Sequence, residues 1–207
     1  MSKFVIQFFL ILILSVFVYT GLELLLSAIL SNEVQFAIKL SIITASASTI
    51  SALIIGVPVA YALSRFEFPG KGIVDVIINI PIIMPPIALG AALLIFFNTP
   101  LASWIRDLFV FQPLGIVLAQ FMVIIGLVVR VLKSTFDSID PRYEAMARVF
   151  GYNRFQSFFR VVLPLSEKGL LAAAIIAWTR AVGEFGATVT LAGATRFKTE
   201  TLSVAIF

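Results

Sequence analysis

The 207-residue sequence predicts an all-α fold, a polytopic bundle of membrane-spanning helices, and three observations predict it. Hydrophobic residues make up 60% of the chain and charged residues only 13%. An average soluble domain has roughly 45–50% and about 25%, so the surface of a water-soluble fold could not be covered. The apolar residues gather in runs long enough to cross a hydrocarbon core of about 30 Å, which takes about 20 helical residues. The charged residues lie between those runs, and mean hydropathy is +1.09.

Five runs qualify or nearly so. The first extends from about Phe4 to Leu30, broken by Glu23 and a few small polar residues. It exceeds the about 7–15 residues of a signal-peptide core and is followed by no A-x-A cleavage site, so a retained helix is expected. The second, about Leu40 to Leu63, is rich in Ser and Thr (Ser41, Thr44, Ser46, Ser48), small residues that let helix backbones approach closely. The third, about Ile73 to Phe97, contains Pro81, Pro85 and Pro86, which predict a kink or break near its middle. The fourth is about Leu114 to Leu132 and the fifth about Leu170 to Leu191. Thr201 to Phe207 is apolar and resembles the start of another helix. One transmembrane domain over 1–207, incomplete at its C-terminus, is therefore expected.

Sidedness follows from the basic residues. Lys3, Arg65, Lys71, Arg130, Lys133, Arg142, Arg148, Arg154, Arg160 and Lys168 fall on one side, against Lys39, Arg106, Arg196 and Lys198 on the other, with Arg180 inside the fifth run. The positive-inside rule then places the N-terminus and the Lys133 to Lys168 loop in the cytoplasm of a multi-pass inner-membrane protein. It also accounts for the net charge of +4 without a nucleic-acid partner. With neither Cys nor His, the chain cannot build a disulfide framework, a thiolate zinc site or a His-dependent triad. No metal site is expected. Gly70-Lys71-Gly72 lacks the upstream Gly and the following Ser or Thr of a phosphate-binding P-loop, so no ATPase is encoded.

The 133–168 loop carries the most information, because loops of this length are usually functional or contain their own secondary structure. Asp140-Pro141 reads as a cap and first helical position, with Glu144 in the first turn. A short helix from Pro141 to Phe150 follows, Gly151 stops it, Asn153 caps a second short helix and Pro164 marks the exit toward the membrane. Met146, Val149, Phe150, Phe155, Phe158, Phe159 and Val162 alternate with Arg142, Arg148, Arg154 and Arg160. Such an amphipathic pair either lies on a lipid surface or docks in a groove of another protein.

The run Glu144-Ala145-Met146-Ala147-Arg148-Val149-Phe150-Gly151, followed by Val161-Val162-Leu163-Pro164, resembles the EAA loop of binding-protein-dependent ABC importer permeases. The spacing from Gly151 to Val161 and Leu163-Pro164 agrees with that family, with Val for Ile. Aligned on Gly151, the family's EAA falls on Ala145, Met146 and Ala147, and Glu144 stands one place upstream. Pro58 to Arg65 with Phe68-Pro69-Gly70-Lys71, Asn79-Ile80-Pro81 through Pro85-Pro86, Trp178 to Thr188, and Thr199 to Phe207 are similar to the molybdate, tungstate and sulfate branch. The resemblance runs from about Ser41 to the end.

This resemblance implies a permease that works as a homodimer, two cytoplasmic ATPase subunits that use ATP and Mg, and an extracytoplasmic binding protein that delivers the anion. The chain itself would bind no cofactor and would contact membrane lipid. Residues Arg142 through Phe159 are expected to form the ATPase-coupling surface, centred on Glu144, Ala147 and Gly151. Ala145, Arg148, Phe155, Phe159, Leu163 and Pro164 complete the expected coupling residues.

Arg180 and Glu184 lie one helical turn apart in the fifth run, where ionisable groups cost about 2.5–3.5 kcal/mol to insert and usually face a cavity or a partner. With Thr188, they are candidates for the translocation path or its gate, Arg180 offsetting an oxyanion's charge. The alternative is a structural ion pair that locks the helix to its neighbours. Two other function classes stay open: an ion-gradient transporter coupled through an intramembrane carboxylate such as Glu184, and a membrane anchor that recruits a soluble partner through the amphipathic loop.

Overall fold

A computed structural model describes residues 27–206 and, before them, residues 6–8, 10, 11, 14 and 15. Most of the expected first run, including Glu23, lies outside the described residues, as does Lys3 before it. Among the described residues every regular element is helical.

Helix α1, Asn32–Arg65, begins at Ser31, whose Oγ accepts a hydrogen bond from Val34 N at 3.3 Å. At 34 residues it is about 51 Å long. It outruns the expected Leu40 to Leu63 because hydropathy marks only the part that fits a bilayer, whereas the Ser31 cap marks where the helix starts. Its buried face consists almost wholly of small residues, among them Ser41, Ala45, Ser48, Ala52, Gly56 and Ala60. That face packs on α5, Pro113–Asp137, the counterpart of the expected fourth run. At Gly56 a Cβ would come within 2.7 Å of Val128 Cγ1, so the two helices approach closely enough that any side chain there would displace Val128.

The third run is broken as the prolines predict. Helices α2, Lys71–Ile83, and α3, Pro86–Phe97, meet at 114°. Met84 and Pro85 each precede a proline and are extended, with ψ 138° and 134°, because the following ring excludes the helical conformation. Pro81 stays inside α2, and Pro86 opens α3, where its missing N–H costs nothing. A short turn, α4, Arg106–Phe109, leads into α5.

After the loop helix α6, Arg142–Val149, the chain forms α7, Arg154–Leu165, which turns by 72° into α8, Glu167–Val182. Here the structure departs from the expected continuous fifth run: α8 ends at Val182, and α9, Gly186–Ala192, follows a break. Ala173, Ala177 and Ala181 form the buried stripe of α8, which packs on α1 and α5. By length and apolarity α1 and α5 can each cross a membrane, and the bent pairs α2 with α3 and α7 with α8 bring the candidate spans to at most four among the described residues.

The last turn, α10, Leu202–Ala205, folds back on the bundle: Leu202 N donates to Ser41 Oγ at 2.8 Å and Ser203 Oγ to Val182 O at 2.9 Å. Basic residues assigned to opposite sides separate along α1. Arg196 pairs with Glu33 in its first turn at 3.1 Å, and Arg65 ends its last turn.

Candidate functional site

The 138–166 connection has a backbone conformation secured at each corner. Asp140 Oδ1 accepts a hydrogen bond from Arg142 N at 2.9 Å and opens α6 within a residue of the expected start. At the other end Gly151 has φ 90°, a left-handed conformation that glycine adopts without steric cost. Its N–H reaches Arg148 O at 3.0 Å, and Tyr152 N–H reaches Ala147 O at 3.2 Å. Both bonds of a Schellman closure are thus made. Asn153 then starts α7 with a reciprocal cap: its Oδ1 accepts from Gln156 N at 2.8 Å and its N–H donates to Gln156 Oε1 at 3.0 Å. Within α7, Phe158–Val162 is wound as a π-helix, with Leu163 N–H reaching back to Phe158 O.

Helix α6 has two different faces. Glu144 turns toward the bundle, where Arg65 Nε donates to its Oε1 at 2.6 Å and the Tyr61 hydroxyl to its Oε2 at 2.6 Å. Arg65 Nη2 also donates to Ile139 O at 2.8 Å, so one guanidinium ties the end of α1 to the loop at two points. Both side chains of the ion pair are sheltered, at 10% and 12% exposure. Ala147, one turn on, is buried on the same face. The opposite face is apolar and uncovered: Tyr143, Met146, Val149 and Phe150 are each more than half exposed. Arg142, Ala145, Arg148 and Gly151 are also exposed.

Phe155 and Phe159 belong to a different surface. Their rings lie 4.6 Å apart, and with Leu163 they line a groove whose other wall is α1, from Leu53 to Ala62, and Phe66 just after it. Pro164 is exposed in the last turn of α7. Beneath the loop Tyr61, Phe136 and Phe158 form an aromatic cluster, Tyr61 lying 4.6 Å from Phe158 and 5.9 Å from Phe136.

The second candidate cluster sits at the break between α8 and α9. Arg180, in the last turn of α8, donates through Nη1 to Glu184 Oε2 at 2.5 Å. Glu184 is fully buried, and its Oε1 accepts from Ala187 N at 2.9 Å, so the carboxylate also satisfies an otherwise free N–H of the first turn of α9. Thr188 is buried close by in sequence, its hydroxyl without a partner among the described residues. This break packs on the other one. A Cβ on Gly186 would lie 2.8 Å from Ile87 Cγ1, and one on Gly90 would lie 2.8 Å from Ala187 O. The start of α9 therefore rests directly on the first turns of α3. In a membrane, interrupted backbone of this kind is tolerated only where protein buries it or it lines a water-filled cavity.

Glu144, Ala147 and Gly151, expected together at the centre of the coupling surface, take three separate structural roles: an anchor, a buried contact and a turn. Tyr143 shares the outward edge of α6 although the resemblance does not single it out; its spacing of three and seven from Met146 and Phe150 is the signal that reveals it. Tyr61 and Arg65 carry no such signal, being 83 and 79 positions from the carboxylate they hold. Among the described residues no group of His, Cys, Asp and Glu is placed to hold a metal ion.

Residues 52–205 match the family described as binding-protein-dependent transport system inner membrane component. The chain is 31% identical over 185 residues to the molybdenum transport system permease protein ModB of Escherichia coli (strain K12), which covers 86% of this chain and 81% of that protein. It is 31% identical over 173 residues to the molybdate/tungstate transport system permease protein WtpB of Thermococcus kodakarensis, covering 84% and 67%. Identity to the sulfate transport system permease protein CysT of Escherichia coli (strain K12) is 32% over 184 residues, covering 86% and 66%. Among solved structures, a bacterial ABC transporter involved in the import of the acidic polysaccharide alginate shares the fold with a TM-score of 0.61 at 23% identity, covering 86% of this chain and 59% of the other.

Proposed function

Because the chain belongs to the family of binding-protein-dependent transport system inner membrane components, we propose that it is the permease subunit of an ATP-driven importer whose cargo is molybdate or tungstate. The observation that carries this reading is the anchored loop. Helix α6 is tied to the end of α1 through Glu144, closed at both ends by hydrogen bonds, and turned so that Tyr143, Met146, Val149 and Phe150 face away from the bundle. An apolar edge presented on a rigid support is suited to a groove in another protein.

The occupant we assign is a cytoplasmic ATPase subunit, which supplies the ATP and Mg chemistry that this chain lacks. Motion of the docked α6 passes to α1 through the Arg65–Glu144 pair and the Tyr61 hydroxyl. The cluster of Arg180, Glu184 and Thr188, where two broken helices cross, is assigned to the translocation path or its gate, with a second copy of the chain completing the path. The N-terminus and the 133–168 loop are placed in the cytoplasm, and an extracytoplasmic binding protein delivers the anion.

Sulfate is the second cargo reading, favoured by the similarity to CysT. An ion-gradient mechanism would need Glu184 free to exchange its partner. The bonds from both Arg180 and Ala187 N argue against that.

The test is uptake into vesicles that hold the permease with its ATPase and binding protein. Molybdate or tungstate is expected to accumulate only with ATP inside and the binding protein outside. Accumulation on an ion gradient without nucleotide overturns the mechanism, and uptake of sulfate alone replaces the cargo.

A further inference from the structure

Two cavities at the Arg65 end of α1 share a wall, and their chemistries differ. The smaller, about 210 Å³, has charged side chains in its lining: Arg65, Arg148, Arg154 and Glu144, with Tyr61 and Phe66 beside them. The larger, about 790 Å³, is an almost wholly apolar groove lined by Leu53, Ile54, Val57, Phe155, Phe159 and Leu163. Tyr61, Phe66 and Arg154 line both, so the two cavities lie side by side.

The charge at this mouth is not balanced. Glu144 is neutralised by Arg65 at 2.6 Å. Arg148 Nε reaches only a backbone oxygen, Glu144 O, at 3.4 Å, and the Arg154 guanidinium lies 5.7 Å from the centre of the Phe66 ring. Among the described residues neither is paired with a carboxylate. Two cations therefore stand at this end of the apolar slot, Arg154 on its wall and Arg148 in the adjoining cavity. The slot also has a length: Leu53 to Arg65 spans about 18 Å of helix, close to the roughly 15 Å of one hydrocarbon leaflet plus its headgroup boundary.

We propose that the groove is a binding site for one anionic phospholipid, its phosphate held by Arg148 and Arg154 and one acyl chain lying between α1 and α7 against Phe155 and Phe159. Basic pockets between membrane helices suit such headgroups because each cation near the surface contributes about 1 kcal/mol of attraction. A zwitterionic lipid would bring its own headgroup cation up to the two guanidiniums together with its phosphate, and free phosphate would leave the apolar slot uncovered. The bound lipid would lie beside the loop corner at Asn153, and Phe155 and Phe159 would be covered by hydrocarbon while α6 keeps its outward edge for a protein. This assignment rests on the membrane setting of the chain and on neither its cargo nor its energy source, and its test reads lipid rather than transport.

The experiment is native mass spectrometry of the full chain in its assembly, after exchange from phosphatidylcholine bilayers containing a minor fraction of phosphatidylglycerol. One phosphatidylglycerol per chain is expected to survive detergent washing that removes phosphatidylcholine. Retention should fall at least about tenfold in the double variant Arg148→Gln/Arg154→Gln, and equally in Ile54→Trp, which fills the groove from an exposed position and leaves the arginines intact. Equal retention of both lipids, unchanged retention in both variants, or displacement of the lipid by inorganic phosphate alone overturns the proposal. On the unaltered chain, cryo-electron microscopy with brominated phosphatidylglycerol should place bromine density between Ile54 and Phe159. A protein segment seated there would overturn it.

Discussion

Arg65 Nε stands 2.6 Å from Glu144 Oε1, joining the last residue of a 34-residue helix to the first turn of the loop helix 79 positions further along the chain. The pair is sheltered rather than buried, and the Tyr61 hydroxyl completes the carboxylate's bonding at 2.6 Å. Its placement makes the loop an extension of α1 instead of a free tether.

Replacing Glu144 with Gln is therefore expected to cost about 1.5–3 kcal/mol, the range for a hydrogen bond to a charged group and above the about 0–1 kcal/mol of an open surface pair. In the assembled transporter, uptake should fall more than ATP hydrolysis, because the ATPase would still turn over while its motion reached α1 poorly. Thermal unfolding of Glu144→Gln, Arg65→Gln and the double variant checks the first part. A coupling energy near zero in that cycle would remove the anchor from the account.

Gly151 offers a graded test of the loop corner. With φ 90° and nothing within 4 Å of where a Cβ would stand, a substitution there meets backbone strain alone. Gly151→Ala should cost about 1–2 kcal/mol, and Gly151→Asn less, since Asn enters the left-handed region more readily. Gly151→Asp should also weaken co-purification of the ATPase while the chain still inserts. Undiminished ATPase retention in that variant would count against the docking role of α6.

The contact between the two broken elements predicts opposite outcomes for two glycine substitutions. Gly90→Ala places a methyl 2.8 Å from Ala187 O, a backbone atom that cannot step aside, and should destabilise by about 1–3 kcal/mol. Gly72→Ala, in a helix with open space around the new Cβ, should stabilise by about 0.5–1 kcal/mol. Unfolding midpoints of the two purified variants decide the matter.

At the second break, Glu184→Gln and Glu184→Ala separate two functions of one carboxylate. Gln loses the charge pair with Arg180 but can still accept from Ala187 N, whereas Ala loses both bonds. Ala is expected to be the less stable by about 1–3 kcal/mol, the cost of an unsatisfied buried donor. If the cluster lies on the translocation path, uptake should fall in Gln while stability changes less. Equal stability of the two variants would show that the cap at Ala187 contributes nothing.

Much of the local structure was legible from residue order. Asp140, Gly151 and Asn153 mark their helix ends because capping is settled within a few residues, and Pro85-Pro86 marks its break because a proline restricts the residue before it. The break at Gly183 to Phe185 was hidden, since the run from Leu170 to Leu191 is apolar enough to pass as one helix. Only packing against α3 and the satisfaction of Ala187 N by Glu184 reveal why the helix stops there. The Gln156 half of the Asn153 capping box was readable in principle, from its spacing of three.

Composition and apolar run length were enough to place this chain in a membrane as a helical protein, because burying or exposing an apolar residue is decided by each side chain's own transfer free energy. Which face of α6 turns outward, that Glu144 meets Arg65 and Tyr61, and that the two helix breaks rest on one another were decided only when the helices packed. Those contacts join residues scores of positions apart, and they depend on the close approach that α1 and α5 achieve through small side chains. No local preference encodes that approach.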